Sequence, residues 1–387
     1  MTRAALALVV IALVAASSGI GAAQSLRLGD AIRIEPKARV QVDVRGPEGD
    51  DGDVELDVAR RRVGVSGQVT RYVAFEVERD VDSDGRWRDV FVDVRASRAL
   101  QVRAGQFKVP FSREQLTSAG HLNFIDRSRA ADLIAPGRSA GIAVHGRVAH
   151  RVVGYDVGAF VRDGTHDGLP GSAESEPTIA ARLTMRPLKH LEIGAAAATS
   201  ELRAGRASLR GRLTSSDLFF SPVLVSGRRQ RVGGDFDWRP GPFGVRGEFL
   251  RADDARQHQG LMGDTPAPLR AQGWYVSGVW AVAGRAAHAR ANDSFAVRGL
   301  DGLELAGRVE QLSFGTPGAL AGEVWTPRAD ALSTVTDRAW TVGVTWTLNR
   351  IVRIQGNAVR ESIVNRARGA TTPRAGWSPV ARVQVEL

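Results

Sequence analysis

The stretch AWTVGVTWTL, Ala339–Leu348, alternates at every residue. Trp340, Val342, Val344, Trp346 and Leu348 fall on one face of an extended chain, and Thr341, Gly343, Thr345 and Thr347 on the other. Side chains of a strand point to opposite faces with period two, so this pattern specifies a half-apolar strand and excludes an amphipathic helix. The pattern recurs. VGGDFDWR sets Val232, Phe236 and Trp238 against Asp235, Asp237 and Arg239, and FGVRGEFL sets Phe243, Val245 and Phe249 against Arg246 and Glu248. IVRIQGNAV sets Val352, Ile354 and Ala358 against Arg353, Gln355 and Asn357; ARVQVEL sets Val383, Val385 and Leu387 against Arg382, Gln384 and Glu386. Helical period is scarce after the first residues, so the class is all-β.

Alternation fits a sandwich, whose apolar faces share a core, or a membrane barrel, whose apolar face meets lipid while its polar face lines a wet lumen. The strands read as about nine to eleven residues, enough to cross a membrane when tilted. Tryptophans near both ends of the Trp340–Trp346 stripe match aromatic girdles. Strands are predicted near 38–46, 59–67, 72–79, 88–95, 99–108, 141–148, 152–161, 178–186, 190–198, 231–239, 242–251, 272–282, 302–314, 338–348, 350–360 and 379–387. Short links such as QVTR, AHR, PLK and Pro240–Gly241 alternate with long ones, the rhythm of short periplasmic turns and long outer loops. The expected fold is a transmembrane antiparallel β-barrel of about 16 strands. Residues 283–301 break the rhythm: parity asks for a short turn there.

The first residues set the compartment. Arg3 precedes an apolar run, Ala4–Ala16, too short to span a bilayer, and small residues follow at Gly21 and Ala23. The pattern is that of a signal peptide over residues 1–23, leaving 24–387 as the exported barrel. Cysteine is absent, so no disulfide holds the exported chain, whereas a closed barrel pairs every backbone group without one. The formal charge is +10. Export argues against nucleic acid as the partner. Lysine occurs only at Lys37, Lys108 and Lys189, an arginine bias that a GC-rich genome also produces, so charge alone names no solute.

Three motifs resemble chemical sites and are read otherwise. DVDSDG, Asp80–Gly85, matches half a calcium loop but has Phe91 where the bidentate glutamate belongs, so it reads as a turn. Gly137–Gly141 fits G-x-S-x-G but lacks the preceding strand and following helix of a nucleophile elbow. The histidines show no zinc spacing. Neither a catalytic cycle nor a cofactor is expected.

The residues also resemble a known family. DVFVDVRASRALQVRAGQFKVPFSREQLTSAGHLNFIDRS, Asp89–Ser128, is similar to the phosphate-selective porins O and P, with softer matches at Ala59–Val69, Asp237–Ala252, Gly273–Trp280 and Val342–Arg360. The resemblance implies a sixteen-stranded porin in the outer membrane of a Gram-negative bacterium. It implies a homotrimer passing small anions, phosphate or polyphosphate among them, with barrel-assembly machinery and lipopolysaccharide as partners. The chain departs from the family in its last residue, Leu387, where an aromatic is usual, and in offering only Lys108 for a central lysine cluster. Anion passage therefore carries over more safely than phosphate selectivity.

On that reading, residues 109–140 form a long outer loop that folds inward as the constriction. About thirty residues without strand or helix period are unusual in an ordered domain and usually functional. Arginine and lysine at a narrow, low-dielectric site favour anions, and the guanidinium fork suits phosphate oxygens. The candidate anion-binding residues are Lys108, Arg103, Arg113, Arg127, Arg60, Arg62 and Arg246. Strict alternation turns Arg103 to the lumen and Lys108 away from it unless the strand bulges or ends near Phe107. Acids on the lumen parity, among them Asp93, Asp235, Asp237, Glu248 and Glu310, keep two alternatives open: a weakly selective general porin, or a structural barrel plugged by the loop.

Overall fold

The computed structural model describes residues 26–28, 32–46, 54–81, 85–164, 176–283, 302–317, 326–329, 331–364 and 376–387. The expected signal peptide and most of 283–301 lie outside them. Sixteen long strands follow one another as a meander. They are β1 (Ile32–Arg45), β2 (Glu55–Thr70), β3 (Val73–Asp80), β4 (Trp87–Arg95), β5 (Gln101–Lys108) and β6 (Arg138–Val148). Next come β7 (Val153–Phe160), β8 (Thr178–Leu188), β9 (Leu191–Ala207), β10 (Leu224–Trp238) and β11 (Phe243–Asp254). The chain completes the set with β12 (Leu269–Ala283), β13 (Leu303–Gly315), β14 (Val335–Thr347), β15 (Val352–Val364) and β16 (Ser378–Glu386). Each pairs antiparallel with the next, and β16 pairs with β1, from Val380 opposite Arg45 to Glu386 opposite Arg39, which closes the barrel. Closure leaves no unpaired edge, the condition for a sheet in lipid. Among the described residues the long strands number sixteen, as expected, and β12 pairs directly with β13.

Burial is inverted relative to a water-soluble protein. Trp340, Ile142 and Ile179 are 56–59 % exposed, while Asp43, Arg231 and Arg382 are at most 2 % exposed. The outward set is the apolar half of each alternating strand and the inward set the polar half. Burying so many charges is tolerable only when they are paired and hydrogen-bonded. Arg62 meets Asp80 at 2.7 Å, Arg229 meets Asp254 at 2.5 Å, and Arg382 meets Asp43 at 2.6 Å.

An apolar core also exists, inside the lumen. Two outer loops fold inward and build it. The link from β5 to β6 carries two short helices, α1 (Arg113–Leu116) and α2 (Arg129–Leu133). Ser112 and Ser128 cap them by accepting from the amides of Gln115 and Ala131 at 3.1 and 3.3 Å. At four and five residues they are too short to display a helical period, which is why the sequence reads as featureless there. The link from β9 to β10 carries a small hairpin, Gly211–Arg212 with Leu218–Phe220. Its Leu213, Phe219, Phe220 and Val223 pack with Phe111, Ala130 and Ile134 of the first loop and with Phe314 of β13. Phe220 and Phe314 stack with centroids 4.9 Å apart. Each such buried side chain stabilises the inward fold by roughly 1.5–3 kcal/mol.

Candidate functional site

The inward loop begins where β5 leaves the wall. Gly105, at φ 129°, lies so close to its neighbour that a Cβ would sit 2.2 Å from the Val90 carbonyl oxygen. Phe107 turns inward against Phe91 and Phe160, and the Val109 amide closes the loop's base on the Gly137 carbonyl at 2.9 Å. Side chains around the barrel then clamp the loop's backbone. Arg182 donates to the Phe111 carbonyl at 2.5 Å, Arg353 to Gly120 at 2.9 Å, Arg382 to Ile125 at 2.8 Å, Arg308 to Asp126 at 3.0 Å and Arg231 to Ile134 at 2.8 Å. Asn357 accepts from the Ile125 amide at 2.7 Å. Charge-assisted bonds to carbonyls satisfy backbone groups that a loop inside a barrel would otherwise leave unpaired.

Most loop charges are neutralised by the wall. Arg113 reaches Asp235 at 2.7 Å, Glu192 at 2.7 Å and Asp237 at 3.4 Å. Burial works against the Arg113 cation, yet those carboxylates raise its pKa above the ordinary arginine value. Arg129 lies between Asp337 and Glu361. Asp126 takes both forks of Arg45, at 3.0 and 3.1 Å. Its burial favours the neutral acid, but Arg45 holds the carboxyl below its ordinary value.

Three cations where the loop meets the β1–β2 wall are different. Lys108, Arg127 and Arg60, like Arg353 on β15, have no ion pair among the described residues. Lys108 Nζ donates to the carbonyls of Leu116 and Thr117 at 3.1 and 3.0 Å, and Arg127 donates to Glu114 and Thr117 at 3.2 and 2.8 Å. Arg60 donates to the Gln41 side chain at 2.5 Å. The charges acting on Arg60 include Arg382, Arg127 and Arg62, with Asp126 opposing them, and those acting on Lys108 include Arg138, Arg127 and Arg62, with Asp89 opposing them. Burial lowers the Arg127 pKa; Glu114 and Asp132 offset this in part, and Arg138 and Arg62 add to it. The loop and the β1–β2 wall thus face each other across like charges. Arg60 and Arg127 both line a cavity of about 790 Å³ that opens toward the outer ends of β1, β2 and β16. A second cavity, of about 650 Å³, lies below, between Arg113, Glu192, Asp237 and the turns at 149–152 and 189–190.

Of the seven residues singled out from sequence, Lys108, Arg127, Arg60 and Arg62 come together. Arg62 is paired with Glu78 and Asp80. Arg103 sits on Asp93 at 2.7 Å with its guanidinium over the Phe91 ring. Arg113 and Arg246 share Asp237 on another part of the wall, away from the three unpaired cations. Strict parity points Lys108 away from the lumen; the chain leaves the wall at that residue, with Phe107 and Val109 both buried inside, and carries the ammonium to the loop. Sequence reasoning missed Arg231 and the second inward loop. The run LFFSPVLV, Leu218–Val225, in a supposedly wet outer loop was the available signal.

Other chemistry finds no footing among the described residues. Glu76, Glu78 and Asp89 bring carboxylates within 4.8 Å of one another, but each is bridged to a cation, Lys37, Arg62 and Arg138 respectively. The Ser139 hydroxyl accepts from the Arg162 amide at 3.0 Å, while His145 lies 3.0 Å from Asp93.

A closed barrel, apolar outside and charged inside, narrowed by an inward loop, defines an outer-membrane porin. The chain belongs to the phosphate-selective porin O and P family, whose profile matches residues 34–376. None of the curated proteins compared with the chain matches it. Its fold is similar to that of in-vitro folded OmpT, an outer membrane protein of Vibrio cholerae, with TM-score 0.64 at 11 % identity, covering 94 % of this chain and 100 % of that one. The trimer form of OmpT gives 0.62 at 10 % identity, covering 92 % and 100 %. The outer membrane channel DcaP of Acinetobacter baumannii gives 0.59 at 11 % identity, covering 94 % and 99 %.

Proposed function

We propose that this porin passes small anions, phosphate among them, by diffusion past Arg60, Arg127 and Lys108. One observation carries the reading: in a lumen where arginines are typically matched to carboxylates, three cations at the narrowing have no carboxylate of their own. Unmatched positive charge at a low-dielectric constriction lowers the cost of entry for an anion and raises it for a cation. The guanidinium forks of Arg60 and Arg127 suit the oxygens of phosphate, and Lys108 adds a point charge. Neither a catalytic step nor a cofactor is part of the reading. Export through residues 1–23 and trimeric assembly in the outer membrane complete it.

The lumenal apolar core favours a second reading, a barrel plugged by its own loops. One experiment separates the two. Purified protein is recorded in a planar bilayer under a KCl gradient, and phosphate is then titrated in. The proposal expects a reversal potential on the chloride side and chloride current blocked by phosphate. Anion preference without block leaves a general anion porin. Folded protein without conductance is the plugged barrel.

A further inference from the structure

The membrane-facing row of side chains changes character at the outer ends of β12, β14 and β15. On β12 Trp274 gives way to Arg270, on β14 Trp340 gives way to Arg338, and on β15 Ala358 gives way to Arg360. Tryptophan marks the level of the lipid head groups, so these arginines stand at or just beyond it. Arg270 is neutralised by Asp253 at 2.8 Å. Arg338 donates to the Gln311 side chain at 3.1 Å, and neither it nor Arg360 has an acidic partner among the described residues. Arg338 lies opposite Ser362 and Trp340 opposite Arg360, which makes the two arginines diagonal neighbours, roughly 7–8 Å apart at the backbone.

A groove of about 510 Å³ on the outer surface of β13–β15 is lined by Arg360, with Arg338 two residues before its Trp340. Trp340 and Trp377 border it, with Val309 opposite Trp340 and the Val342–Gly307 pair next toward the membrane middle. A Cβ added to Gly307 would meet nothing within 4 Å, so the groove is open to the bilayer there. The surface therefore places two guanidiniums without acidic partners among the described residues beside a groove that carries Val309, Val342 and Trp340 and is open to the bilayer at Gly307.

We propose that this face binds a lipid with a phosphorylated head group, the phosphate between Arg338 and Arg360 and an acyl chain along Val309 and Val342. Charge complementarity selects the occupant: an anionic head group satisfies both guanidiniums, which a second copy presenting the same basic face would not. The inference rests on the outer-membrane placement and is independent of anion selectivity in the pore.

The test is native mass spectrometry of the detergent-purified protein with diphosphorylated lipid A as the probe and fully dephosphorylated lipid A as its control. Wild-type protein retains the diphosphorylated lipid, and R338Q/R360Q retains it roughly tenfold less tightly. R71Q, at the opposite end of the barrel, binds as wild type. Conductance of R338Q/R360Q stays at the wild-type level, which shows a folded channel and keeps this test separate from that of the pore. Equal retention of the dephosphorylated lipid, or by the double variant, overturns the proposal. So does a double variant that keeps its lipid but falls apart into single barrels, which would assign the face to a second copy of the chain.

Discussion

Lys108 and Arg127 donate to the same carbonyl oxygen, that of Thr117, at 3.0 and 2.8 Å. Two cations converge on a neutral acceptor, so neither is matched by a carboxylate at that contact. The inward loop thus acts as a bracket holding like charges together, and its geometry rather than the net charge of the chain creates the positive site.

Removing that charge is expected to cost selectivity without closing the pore. R60Q and R127Q each move the reversal potential in a KCl gradient toward zero and weaken phosphate block by roughly three- to tenfold, as loss of one charge-assisted contact does. R113Q serves as the contrast. Its three carboxylate partners each keep another arginine, Arg182 on Asp235, Arg186 on Glu192 and Arg239 with Arg246 on Asp237, so the unmatched cations are unchanged and selectivity stays near wild type. Bilayer recordings of the three variants side by side check this.

The Arg45–Asp126 contact makes loop order sensitive to acid. Asp126 has its pKa lowered in the folded protein. A depressed carboxyl contributes above its unfolded pKa, about 4, and the contribution is lost as pH falls through the folded value. Open-channel noise is expected to stay flat from neutral pH to about pH 5 and to rise below about pH 4. D126A shows the noisy trace at every pH. Noise spectra across a pH series decide it; an acid transition retained in D126A would break the link.

Phe219 and Phe220 are at most 1 % exposed inside the barrel. Truncating either to alanine is expected to destabilise the inward hairpin by about 3–5 kcal/mol. The strands remain, because the backbone ladders do not depend on these rings. Conductance should rise while the barrel still migrates as a folded band in unheated gels. Equal conductance would show that this hairpin does not obstruct the ion path.

Asp163 is fully buried and bridges Arg229 and Arg231 at the outer end of the barrel. Burial opposes its ionisation, but Arg231 and Arg229 hold its carboxyl well below the ordinary range. D163N leaves the buried Arg231 without its carboxylate and Arg229 with Asp254 alone, and a loss of roughly 3–5 kcal/mol is expected. The lowered pKa fixes the sign of the pH dependence: the contribution is complete at neutral pH and is lost on strong acidification. Thermal melts in detergent at neutral and acid pH, wild type against D163N, measure both.

The barrel was legible because its rule is local. Alternation along Val342–Trp346 or Val232–Trp238 states which side chains meet lipid, and sixteen such runs, all found near their predicted places, fix the strand number. The site was legible only by residue type. Lys108 defeats parity because the strand ends at it, and no pattern within β5 announces that ending except Gly105 and Pro110. Arg113 and Arg127 look equivalent in sequence, both in one loop and both near acids. Their difference is set by Asp235, Asp237 and Glu192, which lie far along the chain and converge only when the barrel closes.

That closure has a consequence for the order in which the molecule can be made. Arg382 of the last strand clasps Asp43 of the first and at the same time holds the Ile125 carbonyl of the inward loop. Arg39 likewise joins Glu386 across the same seam and donates to Ser118 at 3.0 Å. The loop is emitted after the fifth strand but anchored to the sixteenth. During assembly its moorings to β8, β10, β13 and β15 can form first, but these last ones must wait until the final strand arrives. The bore is therefore calibrated in the last act of folding, and a barrel left open at that seam would be a hole without a filter.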